Sequence, residues 1–194
     1  MLGIILCGGA STRMGSDKGL LKQEAKTWAQ TAFEKLSSLN IPVKFSVNNQ
    51  QKEEYEKIFS QEDLFVDDQT LSINGPVLGV LSAHLYNSTE DLFLLACDLP
   101  LMDETLLKEL FTLSKTNSSY DVFLYTNDDE PEPLCGIYTA KGLKKIMALY
   151  ADDKLIKHSM KFMLEQLSVC KVALNETQKK AFRNFNAHAD LNGM

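Results

Sequence analysis

Long apolar segments are missing from this chain of 194 residues. The longest, Leu2–Cys7 and Leu92–Cys97, fall far short of the ~20 residues that a membrane-spanning helix needs. The first residues also lack the basic region and long apolar stretch of a secretory signal. We therefore expect a cytoplasmic protein with no membrane partner.

Cysteine and positive charge are scarce as well, which excludes two kinds of site. The four cysteines, at Cys7, Cys97, Cys135 and Cys170, are too far apart for a zinc-ligand pattern or a small disulfide framework, so we expect free thiols. The formal net charge is -6, whereas broad nucleic-acid binding needs a basic face that displaces counterions from phosphates. We therefore expect no nucleic-acid partner.

The composition is that of a globular protein, with 44% hydrophobic and 24% charged residues. No repeat or linker divides the sequence, so we expect a single domain over residues 1–194. Hydrophobic spacing predicts strands at Leu2–Cys7, Pro42–Val47, Leu64–Val66, Leu92–Cys97, Val122–Tyr125, Leu134–Tyr138 and Val169–Ala173. It predicts helices at Thr27–Leu39, Gln51–Phe59, Leu106–Leu113, Ala140–Leu149 and Leu155–Leu167, and one more that begins at Pro76. This alternation is typical of an α/β protein with a mostly parallel sheet and helices on both faces.

Ligands of such sheets bind outside the carboxyl ends of the strands. The candidates for chemistry are therefore the residues that follow Cys7, Val47, Val66 and Cys97. Each of these four positions ends an apolar run. A site built there would combine side chains that are far apart in the sequence.

A glycine-rich segment follows the first predicted strand, from Gly8 to Lys18. Glycine lets the backbone approach a ligand closely, so that successive amide groups can point at phosphate oxygens. Arg13 and Lys18 can add charge-assisted hydrogen bonds. The spacing matches neither the Walker pattern nor the dinucleotide fingerprint, and glycine content alone favours a phosphate loop and a solvated turn equally.

The string LCGGASTRMGSDKGLL resembles the signature of the molybdenum cofactor nucleotidyltransferases, which has L-A-G-G, a short spacer, R-M-G and then D-K. The resemblance implies a three-layer, Rossmann-like nucleotidyltransferase fold. It also implies that the loop binds the triphosphate and that its cations neutralise charge. The implied nucleotide-binding residues here are Leu6, Cys7, Gly8, Gly9 and Lys18, and the implied catalytic residues of the loop are Arg13 and Lys18.

Asp98 directly follows the apolar run Leu92–Cys97. A carboxylate at the end of a buried strand is a suitable ligand for Mg²⁺, which prefers one or two carboxylates together with phosphate oxygens and water. Taken alone, Asp98 is better explained as a residue that caps the helix beginning near Asp103 or shapes the turn. The resemblance extends to this segment, A-C-D-x-P, and implies that Asp98 binds Mg²⁺ and nucleotide and is catalytic.

Asn48 and Asp68 follow the second and third predicted strands, where polar groups could read a nucleoside. From the residues alone, a turn-forming Asn-Asn pair and a solvated Asp-Asp pair are the better explanations. The resemblance implies nucleotide contacts at Asn48, at Asp68 and at Gly79 in the segment Gly75–Gly79.

Two later segments resemble the part of the family signature that receives the second substrate. The implied second-substrate residues are Pro133, Leu134, Asn184 and Asn186. The chain also departs from the family pattern: Cys7 stands where alanine is usual, and Ala187–His188 replaces a Thr-Pro pair.

The resemblance implies a Mg²⁺-dependent enzyme that transfers GMP from GTP to the terminal phosphate of molybdopterin and releases pyrophosphate. Molybdoenzymes or their chaperones are further candidate partners. Two alternatives stay open: a cytidylyltransferase acting on molybdopterin or a sugar-alcohol phosphate, and a non-catalytic nucleotide or cofactor carrier. The segments contain no Ser/His/Asp or Cys/His arrangement, which agrees with attack by a phosphate that is already ionised.

Overall fold

The computed structural model describes residues 1–8, 17–23 and 25–183. Short 3-10 helices lie at Lys18–Leu20, Gln61–Asp63 and Gln178–Phe182. The strands are β1 (Leu2–Leu6), β2 (Lys22–Gln23), β3 (Lys26–Thr27), β4 (Val43–Val47), β5 (Leu64–Val66), β6 (Leu92–Ala96), β7 (Val122–Asn127), β8 (Glu130–Tyr138) and β9 (Val169–Ala173). The helices are α1 (Trp28–Ser37), α2 (Lys52–Glu56), α3 (Pro76–Tyr86), α4 (Glu104–Thr116), α5 (Ala140–Ala151) and α6 (Met160–Glu165).

Seven strands form one sheet in the order β5-β4-β1-β6-β8-β7-β9. Strands β5, β4, β1 and β6 are parallel to one another, and β9 is parallel to β7. Only β8 runs antiparallel to its neighbours β6 and β7 within this sheet of the described chain. The predicted mostly parallel sheet is therefore confirmed.

Each face of the sheet is covered by helices and has its own hydrophobic core. Ile5 and Phe93 belong to the core that includes α1 and α4, whereas Ile4 and Leu94 belong to the core that includes α3, α5 and α6. Side chains of a strand alternate between faces, so a strand buried on both sides reads as a continuous apolar run. This explains why β1 and β6 are uninterrupted runs in the sequence.

Helices α1, α4, α5 and α6 begin where a polar side chain accepts a backbone N–H. Thr27 and Gln30 form a capping box at α1, and the Thr139 hydroxyl accepts from Gly142 at α5. The helix predicted over Leu155–Leu167 is wrong for its first part, because α6 begins only at Met160, after its cap Ser159. The preceding turn contains Asp153 in the left-handed region (φ 56°), which a continuous helix cannot accommodate.

A hairpin between β7 and β8 carries part of the chain past the end of β6. Asp128 and Asp129 form its turn with φ of 48° and 66°, a conformation suited to a tight hairpin turn. Asp128 and Asp129 are thus the tip of two paired strands. The described helices contain no segment with the length and apolar character that crossing a bilayer requires.

Replacing His84 with leucine should make the stability of the protein less sensitive to acid. The imidazole is buried, and its Nδ1 has no hydrogen-bond partner within the described chain. Burial lowers the pKa of His84 from its usual 6.5. As the pH falls, the unfolded chain therefore binds a proton at His84 before the folded chain does. The free energy of unfolding decreases from about pH 6.5 down to the lower pKa of the folded state.

Urea unfolding at about pH 7.5 and pH 5 measures the effect. Between these two conditions His84→Leu should lose less stability than the unchanged protein. Equal losses for the unchanged protein and His84→Leu would contradict the assignment.

Candidate nucleotide-binding site

Four neighbouring parallel strands end at one edge of the sheet. Leu6 of β1 pairs with Ser46 of β4 and with Ala96 of β6, and Val47 of β4 pairs with Val66 of β5. The residues that follow these strands are therefore brought to the same edge. They are Cys7 and Gly8, Asn48, the pair Asp67 and Asp68, and Asp98.

A cation and an anion meet at the centre of this edge. The Nζ of Lys18 lies 3.3 Å from the Oδ2 of Asp98. The two side chains are 24% and 23% exposed, so both are partly desolvated yet reachable from solvent. This pairing brings together two of the predicted site residues, which are 80 positions apart in the chain.

Lys18 is held in place by its neighbour, Asp17. The Oδ1 of Asp17 accepts hydrogen bonds from the backbone N of Gly19 at 2.8 Å and the hydroxyl of Tyr55 at 3.1 Å. Its Oδ2 accepts from the Nε2 of Gln51 at 2.6 Å. The residue just before the lysine is thereby fixed to α2 and to the turn preceding it, which limits where the lysine side chain can reach.

Gln51 connects this anchor to the sheet. Its Nε2 also donates to the carbonyl of Cys7 at 2.8 Å, and its Oε1 accepts from the backbone N of Asn48 at 3.0 Å. One side chain thus joins the end of β1, the end of β4 and Asp17. Sequence reasoning missed Asp17, Gln51 and Tyr55, since nothing in their spacing from the loop signals a shared contact.

Gly19 allows the close approach of Tyr55. A Cβ atom built on Gly19 would lie 2.1 Å from the Tyr55 hydroxyl oxygen, which is far inside van der Waals contact. Tyr55 is fully buried, so its ring cannot move aside into solvent. A glycine is therefore required after Lys18.

The turn that carries Asp98 is fixed by other residues. Lys35 of α1 donates to the carbonyl of Pro100 at 2.6 Å, and Met102 N donates to Leu99 O at 3.1 Å. Helix α4 is capped by Asp103, whose Oδ1 accepts from Thr105 N. The alternative that Asp98 caps this helix is therefore wrong.

Cys97 at this edge is a thiol rather than a reactive thiolate. All four cysteines of the chain are free, as expected, and Cys7 and Cys97 are buried at the ends of adjacent strands. A hydrogen bond with Cys7 and burial raise the pKa of Cys97 well above its usual value. A raised pKa does not favour nucleophilic or metal-binding chemistry here.

Asp98 is compatible with a divalent cation that takes most of its ligands from elsewhere. The described residues contain no group of three or more His, Cys, Asp or Glu side chains that could enclose a metal ion. Mg²⁺ does not need such a group, because it commonly uses one or two carboxylates with phosphate oxygens and water. The single, partly exposed carboxylate fits that mode of binding.

Asn48 and Asp68 lie at the predicted edge, but local turns use their oxygens. The Oδ1 of Asn48 accepts from the backbone N of Gln50 and Gln51. The Oδ1 of Asp68 accepts from the backbone N and the hydroxyl of Thr70, which lowers the pKa of Asp68. Contacts of these two residues with a nucleoside stay a prediction.

Asp67 is the neighbour of Asp68 and, unlike Asp68, is a buried residue whose carboxylate points into the sheet edge. It is 7% exposed, and its Oδ1 accepts from the Ser46 hydroxyl at 2.6 Å. Burial raises the pKa of Asp67. The sequence does hold a signal for this choice, since alternation along β5 puts Phe65 and Asp67 on the face that packs against α3.

Pro133 and Leu134 lie in the part of β8 that extends beyond its pairing with β6. That pairing ends at Leu95 and Cys135, at the edge where Asp98 lies. Proline lacks an N–H, so it is tolerated where a strand has lost a neighbour. A role for Pro133 and Leu134 in binding a second substrate stays a prediction.

The remaining predicted site residues lie outside the described part of the chain. They are Gly9, Arg13, Asn184 and Asn186.

A mostly parallel sheet with Gly8, Lys18 and Asp98 at the carboxyl ends of its strands is typical of an α/β nucleotide-binding protein. Residues 3–170 match the model of the MobA-like NTP transferase domain. The chain belongs to this family of nucleotidyltransferases.

Named relatives span nearly the whole chain. A probable molybdenum cofactor guanylyltransferase of Methanothermobacter thermautotrophicus is 31% identical over 96% of this chain and 95% of its own length. A probable molybdenum cofactor guanylyltransferase of Flavobacterium johnsoniae is 29% identical over 98% and 94%. The molybdopterin-guanine dinucleotide biosynthesis protein A of Archaeoglobus fulgidus, 19% identical, has the same fold with a TM-score of 0.78 over 99% of this chain and 95% of that one.

The close contact between Gly19 and Tyr55 predicts that removing the Tyr55 hydroxyl reverses the destabilisation caused by a side chain at Gly19. Gly19→Ala should lower the thermal unfolding midpoint by several degrees, because the added methyl overlaps the Tyr55 hydroxyl. In the double variant with Tyr55→Phe the hydroxyl is gone, and the next ring atom lies 3.3 Å from the new Cβ. The midpoint should therefore return to that of Tyr55→Phe alone.

Thermal unfolding of the four proteins of this cycle measures the coupling. Additive losses in the double variant would mean that Gly19 is needed for its backbone conformation and not for the space beside Tyr55.

Proposed function

We propose that this protein transfers GMP from GTP to the terminal phosphate of molybdopterin, releases pyrophosphate and requires Mg²⁺. The proposal is supported by the family and by relatives named guanylyltransferases over nearly the full chain. The observation that carries its chemistry is the approach of Lys18 to Asp98 at the strand edge. Molybdoenzymes or their chaperones as recipients of the product, and a cytoplasmic location, belong to the same proposal.

The nucleotide lies across the carboxyl ends of β1, β4 and β5. Its triphosphate follows the loop that leaves β1 at Gly8 and returns at Asp17 and Lys18. The nucleoside faces Asn48, Asp68 and Gly79. The nucleotide side of the proposed site also includes Leu6, Cys7, Gly9 and Arg13. The side that receives the second substrate consists of Pro133, Leu134, Asn184 and Asn186.

The reaction forms one P–O bond and breaks another. A terminal phosphate oxygen of molybdopterin attacks the α-phosphorus of GTP, and the bond from that phosphorus to the bridging oxygen of the β-phosphate breaks, so that pyrophosphate leaves. The attacking phosphate monoester is largely ionised at neutral pH, since its second pKa is about 6. No side chain has to remove a proton.

The residues of the site act by positioning and by charge. Lys18, held by Asp17, offsets the negative charge that develops on the phosphates. Asp98 would hold Mg²⁺ together with phosphate oxygens and water, and the bound ion would supply charge neutralisation to the phosphates. The pKa values of buried Cys97 and Tyr55 are both raised, so neither of these two side chains competes as a nucleophile.

Nucleotide selectivity separates the proposal from its alternatives. In thermal unfolding with GTP, CTP, ATP or UTP, we expect a stabilising shift confined to GTP and dependent on Mg²⁺. A ligand at 100 times its dissociation constant stabilises a protein by roughly 2.7 kcal/mol, which such a scan resolves. A larger shift with CTP would indicate the cytidylyltransferase. GTP binding without pyrophosphate release in the presence of molybdopterin would indicate the carrier.

Asp98→Asn should abolish most turnover while leaving the fold intact. The variant keeps the size of the side chain but removes the charge that would hold Mg²⁺, and we expect a loss in kcat/KM of about 100-fold or more. The unfolding midpoint should change little, because a partly exposed ion pair contributes only about 0 to 1 kcal/mol.

Lys18→Met should also lower turnover, and Lys22→Met is its matched control because Lys22 is exposed on β2. Pyrophosphate release is the measurement for all three variants. An Asp98→Asn protein that keeps most of its Mg²⁺-dependent turnover would show that the metal assignment is wrong.

A further inference from the structure

Asp67 is a buried carboxylate with an acceptor that the described chain does not use. The residue is 7% exposed, and the hydrogen bond from the Ser46 hydroxyl reaches only Oδ1. Among the described residues, none donates a hydrogen bond to Oδ2. Burying a carboxylate is costly unless its oxygens are matched by donors. A ligand that reaches Oδ2 at this edge therefore meets an acceptor that the described residues leave unused.

Two glycines leave the Asp67 carboxylate uncovered at the strand edge. A Cβ atom built on Gly8 would lie 3.0 Å from Oδ2, and one built on Gly79 would lie 3.5 Å from Oδ1 and 2.8 Å from the Ser46 hydroxyl oxygen. A side chain at either position would press on the carboxylate or on the hydroxyl that orients it. The glycines keep this space open next to the first residue of the phosphate loop.

We propose that Asp67 determines base specificity by accepting hydrogen bonds from N1–H and the N2 amino group of guanine. This inference rests on the proposed function, which places a guanine nucleotide at this edge. Guanine carries two adjacent donors, and the two oxygens of a carboxylate match them in parallel. The Ser46 hydroxyl leaves Oδ1 a second lone pair for this contact.

The same geometry rejects the other bases. Cytosine and adenine each present one amino group beside a bare ring nitrogen, which would face a carboxylate oxygen as acceptor against acceptor. Uracil presents one N–H between two carbonyls. A buried polar group left without its partner discriminates strongly, so Asp67 favours guanine by penalising the alternatives. Cys7, the departure from the family pattern, does not enter this contact.

The test compares GTP with two analogues that alter only the edge of the base. Inosine triphosphate lacks the N2 amino group, and xanthosine triphosphate carries a carbonyl there. Calorimetric titration of the full chain with Mg²⁺ should give tighter binding of GTP than of either analogue by roughly tenfold or more.

Asp67→Asn should reverse the preference between GTP and xanthosine triphosphate. The amide oxygen can still accept from N1–H, while the amide nitrogen now donates to the xanthine carbonyl and opposes the guanine amino group. We expect a loss for GTP of roughly tenfold to a hundredfold and a gain for xanthosine triphosphate. A gain of binding cannot arise from misfolding.

Two further variants keep the test interpretable. Asp63→Asn makes the same charge change just before the other end of β5 and should leave all three affinities unchanged. Ser46→Ala removes only the hydrogen bond that orients Asp67, and should reduce the preference for GTP over inosine triphosphate without favouring xanthosine triphosphate.

The results distinguish a failure of this inference from a failure of the proposed function on which it rests. If the unchanged protein prefers GTP but Asp67→Asn still binds it better than xanthosine triphosphate, the role of Asp67 is refuted and guanylyl transfer stands. A variant that instead loses discrimination between GTP and its 2′-deoxy form would assign Asp67 to the ribose and also refute it. Preference for CTP by the unchanged protein would overturn both.

Discussion

The arrangement of the site depends on the hydrogen bonds accepted by Asp17. This carboxylate joins a backbone amide, the Tyr55 hydroxyl and the Gln51 amide, and Gln51 in turn binds the carbonyl at the end of β1. Lys18 follows directly and reaches Asp98 across the sheet edge. Without this anchor the chain leaving the loop would have no fixed relation to the strand that carries the aspartate. Three neutral donors hold Asp17 directly next to Lys18.

The path of the chain explains why the site lies beside β1. From β1 the chain moves outward to β4 and β5, and then returns to place β6 on the other side of β1. The connections therefore cover opposite faces: α1 packs in one core and α3 in the other. The strand order reverses at β1, and ligands of open α/β sheets bind at the carboxyl ends of the strands where this happens. Gly8 and Gly79 both lie close to the Asp67 carboxylate at this point.

Much of the fold could be predicted because its central strands β1 and β6 are buried on both faces and are continuous apolar runs. The edge strands β5 and β9 are partly exposed, and hydrophobic spacing still predicted their bounds. The start of α6 was placed too early, because the buried Leu155 belongs to an irregular segment whose next residue, Ile156, is 74% exposed. Hydrophobic spacing indicates which side chains are buried, but it does not report the left-handed turn that delays a helix.

The sequence by itself determined the α/β class and the location of the site at the carboxyl ends of parallel strands. It also determined Lys18 and Asp98 as candidate site residues. Strand patterning and local signatures are properties of contiguous residues, so they can be recognised without the tertiary structure. Only the tertiary structure decided which acidic residues are held inside the site. It assigned Asp68 to a local turn and Asp67 to the space between Ser46, Gly8 and Gly79. It also joined Asp17 to Gln51 and Tyr55. These contacts link residues on separate strands and helices, and such residues become neighbours only when the sheet forms and buries them.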